Sequence, residues 1–464
     1  MAKKTKAASL TIEEKLEQAL VVPGYEPYKI PDNWCWVRMN SISNFERGIT
    51  FPASAKEKEK SFANIPCLRT ANVQETLDIS DLIYVDKTYM KNNPAKLVKK
   101  KDILMSIANS KELVGKTSLI NSFTGPMTFG GFVMAIRSKI VADYLFYYLR
   151  NEFYSGRFIG DSTQTTNIAN INSTMLGQIE TPVPPLAEQQ RIVERIESLF
   201  SKLDEAKEKA QEVIDSFETR KAAILHKAFS GELTAKWREE NGVGIESWEN
   251  RSINDICHSL KYGTSKKSKT QGSVIVIRMG NLQQGEIDWS DLAYTDDKED
   301  IEKYRLYPGD VLFNRTNSAV LVGKTSIYRG EFPAIYAGYL IKLDYKHDEI
   351  IGDYLNYALN TPAAKEYCNN VKTDGVNQSN INAKKIGAFV IPVASINEQQ
   401  VIVEIISSLL KKENESKQAA EVVIDQIYTM KKAILARAFR GELGTNDPKE
   451  ESAVELLKQI LTGE

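Results

Sequence analysis

Two stretches, TPVPPLAEQQRIVE at residues 181–194 and IPVASINEQQVIVE at residues 391–404, are near copies of each other 210 positions apart. Pro182, Val183, Glu188, Gln189, Gln190, Ile192, Val193 and Glu194 return as Pro392, Val393, Glu398, Gln399, Gln400, Ile402, Val403 and Glu404. The offset holds downstream, where Ala228-Phe229-x-Gly231-Glu232-Leu233 becomes Ala438-Phe439-x-Gly441-Glu442-Leu443. Upstream the match is looser but continuous. Arg69 and Asn72 answer to Arg278 and Asn281, Asp102 and Leu104 to Asp310 and Leu312, Leu113–Ser118 to Leu321–Ser326, and Tyr144-Leu145 to Tyr354-Leu355. Small drifts in the offset mark loops of unequal length. An internal repeat of this kind sets the architecture before any local reading does.

The repeated stretch opens a helix. From Ile192 the apolar residues run Ile196, Leu199, Leu203, Ala206, Ala210, Val213 and Phe217, in steps alternating four and three. That spacing is a heptad seam. Pro185 suits the first turn, where its missing N–H is not needed, and Gly231 supplies a stop. Residues Leu186–Ala228 predict one rod of about 64 Å. The second copy keeps the seam through Ile402, Ile406, Leu409, Ala420, Val423, Ile427, Met430 and Ile434. Glu413 and Ser416 interrupt it, so looser packing is expected midway. An apolar stripe must be covered, and the two helices covering each other antiparallel is the economical solution.

The segments between read as two α/β (α+β) units. Ile103–Ala108, Gly131–Ile136, Val274–Met279 and Ala334–Leu343 have strand composition. Asp143–Tyr154 and Asp353–Tyr367 have helical spacing. Short helices are expected at Thr11–Val21, capped by Ser9 or Thr11, and at Ser452–Leu461. The expected organisation is a first globular unit with its N-terminal helix at 1–181, a helix at 182–233, a second globular unit at 234–391, a helix at 392–443 and a tail at 444–464. It is a pseudo-two-fold chain in which two globular domains alternate with two helices pairing as an antiparallel coiled coil.

Composition narrows the function classes. At 42% hydrophobic and 26% charged residues, the chain supports real cores. No apolar run reaches the roughly 18 residues of a membrane span. Glu13, Glu14 and Glu17 stand where a signal peptide would be apolar, so a soluble, cytoplasmic chain is expected. Cys35, Cys67, Cys257 and Cys368 form no Cys-x-x-Cys pair, and His226, His258 and His347 are scattered, so no metal site is expected. The net charge of −1 gives no pointer to DNA, whose ligands usually carry a basic excess. Cations do cluster locally at Lys56–Lys60, at Lys96–Lys101, and at Lys261, Lys266, Lys267 and Lys269, although solvated loops explain such runs more often than binding does. Gly115-Lys116-Thr117-Ser118 and Gly323-Lys324-Thr325-Ser326 imitate a phosphate loop. The glycine such a loop needs five residues earlier is Ser110 in one copy and Ser318 in the other. An Asp- or Asn-Pro-Pro-Tyr methyltransferase segment is missing. Glu205-Ala206-Lys207 has the letters of a nuclease site but lies on the rod.

Two variable domains, each followed by a helix that opens Pro-Leu-Ala-Glu-Gln-Gln (Pro185–Gln190; more weakly Ile396–Gln400) and closes Ala-Phe-x-Gly-Glu-Leu, resemble the specificity subunit of type I restriction–modification enzymes. The resemblance runs from Trp36 to Leu443. It implies a non-catalytic DNA-reading subunit in which each domain recognises one half of a bipartite double-stranded site and the helices set the spacer. It implies as partners two modification subunits, adenine methyltransferases using S-adenosylmethionine, and two motor–nuclease subunits using ATP and Mg. No cofactor is expected on this chain itself. Two other readings remain open at this point: a DNA-reading adaptor of a related methylation or phage-defence system, and a coiled-coil scaffold, which would need no elaborate globular units.

Domains sharing a scaffold but reading different half-sites should share phosphate-positioning groups and differ at base-reading ones. The shared candidates are Arg69/Arg278, Asn72/Asn281, Asn109/Asn317, Lys116/Lys324 and Asn167/Asn377, although turn chemistry explains Asn equally well. The differing candidates are Arg47, Gln164, Asn314, Arg315 and Gln378, types able to bond base edges. Lys266 and Lys267 complete the DNA-binding set from the local charge cluster. Arg315 pairing with a neighbour such as Asp310 is the plain alternative.

Overall fold

The computed structural model describes residues 10–123, 125–158, 163–165, 168–376 and 378–463, without the side chains of 163–165 and 168. It divides into two compact units, Met1–Lys209 with Val423–Glu464, and Ala210–Val422.

In the first unit, Ser43–Arg47, Val133–Ser138, Ile103–Ser106 and Thr117–Leu119 form, in that order, an antiparallel four-stranded sheet. A second sheet places Asn64–Leu68 between antiparallel Ile83–Asp86 and parallel Thr128–Phe129. Cys35–Arg38 pairs with Glu180–Val183, which brings both ends of the domain to the base of the helix Leu186–Asp215. The helix Ala142–Ser155 closes the core with Tyr144, Leu145, Tyr148 and Leu149 and stops at Gly156, whose φ of 79° favours glycine. Ile192, Ile196 and Phe200 from one long helix and Leu435, Ala438 and Phe439 from the other join the same core. At roughly 1.5–3 kcal/mol for each buried large apolar side chain, this contact dominates the docking of the helices.

The second unit repeats the plan. Cys257–Tyr262, Leu340–Tyr345, Val311–Asn314 and Thr325–Ile327 form the four-stranded sheet. Val274–Ile277 lies between antiparallel Tyr294–Thr295 and parallel Ala334–Tyr336, and Glu249–Ser252 pairs with Val390–Val393. Leu225, Ala228, Ile402 and Ile406 bring helical segments into its core. Thr361 caps a new helix at Pro362, so the helix expected over Asp353–Tyr367 is two, Gly352–Leu359 and Pro362–Val371.

The long helices pair antiparallel within each unit. Between the long helices Asp204 meets Lys431 in the first unit and Arg220 meets Glu413 in the second, while Arg191 holds Glu450 of the tail and Arg238, on the short helix Ala235–Asn241, holds Glu398. The first rod is not continuous. It runs Leu186–Asp215, then Phe217–Phe229. Ser216 bonds the Glu212 carbonyl through its hydroxyl, and Arg220 bonds both Ser216 and the Val213 carbonyl. Such side-chain bonds to a helix backbone bend it. The second rod, Ile396–Ala438, is unbroken. At its interruption Arg220 Nε donates to Glu413 at 2.5 Å and the Lys417 ammonium lies over Phe217, while none of residues 411–419 is buried.

The repeated Glu-Gln pair is structural. Glu188 and Glu398 are each 0% exposed. Glu188 accepts from Trp34 Nε1 and Asn446 Nδ2, each at 2.8 Å; Glu398 accepts from Trp248 Nε1 at 2.8 Å and from Thr234 and Arg238 at 2.7 Å. Gln189 and Gln399 accept the Val141 and Ile351 N–H groups and donate to the Pro184 and Ala394 carbonyls. Tyr144 and Tyr354 donate to the Pro182 and Pro392 carbonyls. The motif thus locks a domain onto the start of its helix in each unit.

Candidate nucleic-acid interface

In each unit one segment leaves the three-stranded sheet and enters the four-stranded one through a sharp turn. In the first unit it is Gly130-Gly131-Phe132; in the second, Ala337-Gly338-Tyr339. The expected continuous strand Ala334–Leu343 is broken here, and the strand expected from Gly131 begins only at Val133. The turns share several backbone bonds. Ile107 N–H donates to the Phe132 carbonyl at 3.0 Å, and Arg315 N–H to the Tyr339 carbonyl at 3.0 Å. A glycine faces each turn so closely that a Cβ would lie 2.2 Å from the Gly130 carbonyl oxygen at Gly48, and 2.1 Å from that of Tyr336 at Gly263. Phe132 is 63% exposed and Tyr339 48%.

A guanidinium reaches each turn. Arg47 Nε donates to the Gly131 carbonyl at 2.8 Å, and Arg315 Nη1 to the Gly338 carbonyl at 3.4 Å while stacking on Tyr262 at 4.9 Å. Among the described residues neither has a carboxylate partner. Asp310, the neighbour considered for Arg315, pairs with Lys342 instead. In the first unit, Arg47, Thr50, Phe51, Lys56, Arg69 and Phe132 line a cleft of about 460 Å³.

The remaining candidates separate by partner. Arg69 and Arg278 form exposed ion pairs with Asp81 and Asp291 at 2.7 and 2.9 Å. Lys266 sits among Asp297, Asp300 and Glu299, and its bond to Asp297, then that to Asp300, pushes its ammonium pKa up. It is neutralised locally, unlike the exposed Lys267 beside it. Lys116 bonds Gln74, and Lys324 bonds Gln283 at 2.8 Å, neutral partners, and among the described residues neither lysine has a carboxylate partner. Desolvation, with Lys365 adding to it, lowers the Lys324 pKa. Thr117–Leu119 and Thr325–Ile327 are strands, so neither Gly-Lys-Thr-Ser stretch leads into the helix N-terminus a phosphate loop uses.

Three expected contacts are corrected. Asn72 and Asn281 are buried, and each carboxamide closes a turn: it accepts the Arg69 or Arg278 N–H and donates to the Asp78 and Asp81, or Asp288 and Asp291, carbonyls. Asn314 is fully buried, its carbonyl oxygen turned to Thr316 N–H. Asn72 and Asn281 cannot reach a nucleic acid without unfolding their turns, and Asn314 ends the strand Val311–Asn314 with its side chain in the interior. Asn109 and Asn317 accept the next residue's N–H and are half-buried, also turn chemistry. Gln378 is exposed. Asn167, Asn377 and the side chain of Gln164 lie outside the described residues. Phe132 and Tyr339 were not singled out from sequence, although Gly-aromatic recurs at both turns.

The model for the type I restriction modification DNA specificity domain matches this chain twice, over residues 31–215 and 245–424. The type I restriction enzyme EcoKI specificity subunit of Escherichia coli K12 is 25% identical over 427 residues, which is 89% of this chain and 90% of that protein. The StySPI specificity subunit of Salmonella potsdam matches to the same extent. The HsdS subunit from Thermoanaerobacter tengcongensis shares the fold at a TM-score of 0.58 and 17% identity, covering 90% of this chain and 99% of that one. A chain from a structure describing complex assembly and conformational transition of the type I restriction–modification system reaches 0.66 at 18% identity, covering 90% and 100%. Among the described residues no helix is long and apolar enough to cross a membrane. With both domains and both helix motifs accounted for, the chain belongs to the type I restriction–modification DNA specificity family.

Proposed function

We propose that this chain reads an asymmetric, two-part DNA site, one half per domain, and directs a methyltransferase and a motor–nuclease to it. The observation that carries the reading is one scaffold built twice, with the same backbone bonds at Phe132 and Tyr339 and different side chains around them. A shared frame positions; differing side chains specify. The partners are two modification subunits, which bind S-adenosylmethionine and methylate adenine N6, and two motor–nuclease subunits using ATP and Mg. This chain supplies no reacting group; its residues bind and orient the duplex. Its near-neutral charge fits a shared phosphate-binding surface.

The test is a map of N6-methyladenine in a host carrying the system, before and after residues 31–181 are exchanged for the matching domain of a relative. One half-site should change and the other persist. A change in both halves, or loss of sequence preference, rejects the two-reader model. Copurification of a methyltransferase and a helicase–nuclease with the chain distinguishes this system from an adaptor serving other partners.

A further inference from the structure

We propose that Phe132 and Tyr339 are specificity-determining contacts, each ring packing against a base of its own half-site, with Arg47 or Arg315 presenting its unused N–H groups beside it. The inference rests on the two-half-site reading above and adds the residues that do the reading.

A single exposed aromatic needs no explanation. Two at the same place in both copies, each on a rigid turn, do. The turn backbone is tied down on both sides: Gly130 N–H to the Leu68 carbonyl and Val133 N–H to that of Gly130; Gly338 N–H to that of Thr264 and Leu340 N–H to that of Ala337. Among the described residues neither ring stacks on another aromatic, and the Tyr339 hydroxyl has no hydrogen-bond partner. These are aromatic probes on tied-down turns, held toward solvent.

The guanidinium beside each probe strengthens the case because it arrives by different routes. In the first unit it comes from the residue before the close-approach glycine, Arg47-Gly48, while the position after the central strand is Ile107. In the second, the residue before the glycine is Tyr262, and the position after the strand is Arg315. Scaffold inheritance would have kept the arginine at one position. What the two units have in common is the product, a guanidinium with no carboxylate partner among the described residues, bonded to the turn carbonyl that precedes the aromatic residue. Chemically, that pair suits base edges: arginine donates two parallel bonds to guanine O6 and N7, while an aromatic ring packs on a thymine methyl or a base step. The Tyr262 ring under Arg315 fixes its plane, a restraint Arg47 lacks.

The test uses the full chain copurified with its partner subunits, as Phe132→Ala, Tyr339→Ala and Tyr339→Phe. Binding to a library of single-base variants is titrated at two salt concentrations. Each alanine variant should relax one position within one half-site, a different half for each, and weaken binding about tenfold, the scale of one lost base–aromatic contact. The slope of log affinity against log salt should not change, because no phosphate-neutralising charge is removed. Tyr339→Phe should keep most of the affinity. If the unaltered complex reads two half-sites and both alanine variants match it in preference and affinity, this inference is wrong while the two-reader function stands. If the unaltered complex shows no two-part preference, the function itself falls. Loss of copurifying subunits in either variant would make the tips protein contacts and overturn the proposal.

Discussion

Replacing Arg238 by methionine isolates what the buried glutamate of the repeated motif requires. The Arg238 guanidinium donates to Glu398 Oε1 and the Gly231 carbonyl at 2.7 Å and to the Thr234 hydroxyl at 2.9 Å, and lies 5.6 Å over the Trp248 ring. Glu398 is 0% exposed. Methionine fills much of the volume but leaves the carboxylate with only Thr234 and Trp248. Removing one partner of a buried ion pair costs about 3–5 kcal/mol, because the other charge remains out of water. For a unit of this size 1 kcal/mol moves Tm by about 2–4 °C, so the second unit should melt about 6–20 °C lower. The first unit should be unaffected, since Glu188 makes its own bonds to Trp34 and Asn446. Adding Glu398→Gln should recover most of the loss, the neutral amide still accepting from Trp248. Calorimetry of Arg238→Met and the double variant decides it. A shift under about 2 °C, or a double variant as unstable as the single, would refute the claim that an uncompensated charge sets the penalty.

Other outcomes follow from the same geometry. Arg47→Ala should relax discrimination within one half-site and leave the salt slope of DNA binding unchanged, a slope lower by about one placing it on phosphate instead; Lys266→Ala, removing a charge that Asp297 and Asp300 already balance, should leave both unchanged. Gly48→Ala and Gly263→Ala place a methyl within 2.2 Å of a carbonyl oxygen; each should abolish reading of one half-site, checked by binding to half-site variants. Burial pushes the Cys35, Cys67 and Cys257 thiols up to about 12 and Cys368 to about 11. Alkylation of the native protein at pH 8 should therefore be slow at all four, and mass spectrometry should find full labelling only in denaturant. Four residues, about 6 Å of rise, inserted after Ala206 and in the facing turn near Lys431 should lengthen the spacer between unchanged half-sites, as read by methylome sequencing.

The architecture was legible because the chain can be compared with itself. A heptad seam and a repeat offset are properties of the sequence alone, and helix forms over both stretches where the spacing puts it, the first broken at Ser216. What escaped was set by tertiary contacts. Ala334–Leu343 reads as one strand because its composition is uniformly β-prone. Its first part pairs with Val274–Ile277 and its second with Cys257–Tyr262, two different sheets, and the chain must turn at Gly338 to serve both. Ser216 bends the first helix through a bond to Glu212 that a serine makes only when its neighbours allow it.

The contact residues were harder for a reason the structure makes explicit. Several of the groups shared between the copies turned out to be scaffold. Asn72 and Asn281 close turns, Gln189 and Gln399 hold the helix start, and Asp102 and Asp310 neutralise Arg137 and Lys342 within the sheet. Identity between copies therefore selects interior groups, where one geometry satisfies both, as readily as it selects contact groups. The surface that must differ obeys another rule. Arg47 and Arg315 do not align at any repeat offset, yet each bonds the equivalent carbonyl from a different strand. Their equivalence exists only in three dimensions, after the two sheets have brought the strands together. A duplicated reader can therefore keep its core residue by residue while its reading surface is rebuilt from whichever strand reaches the turn.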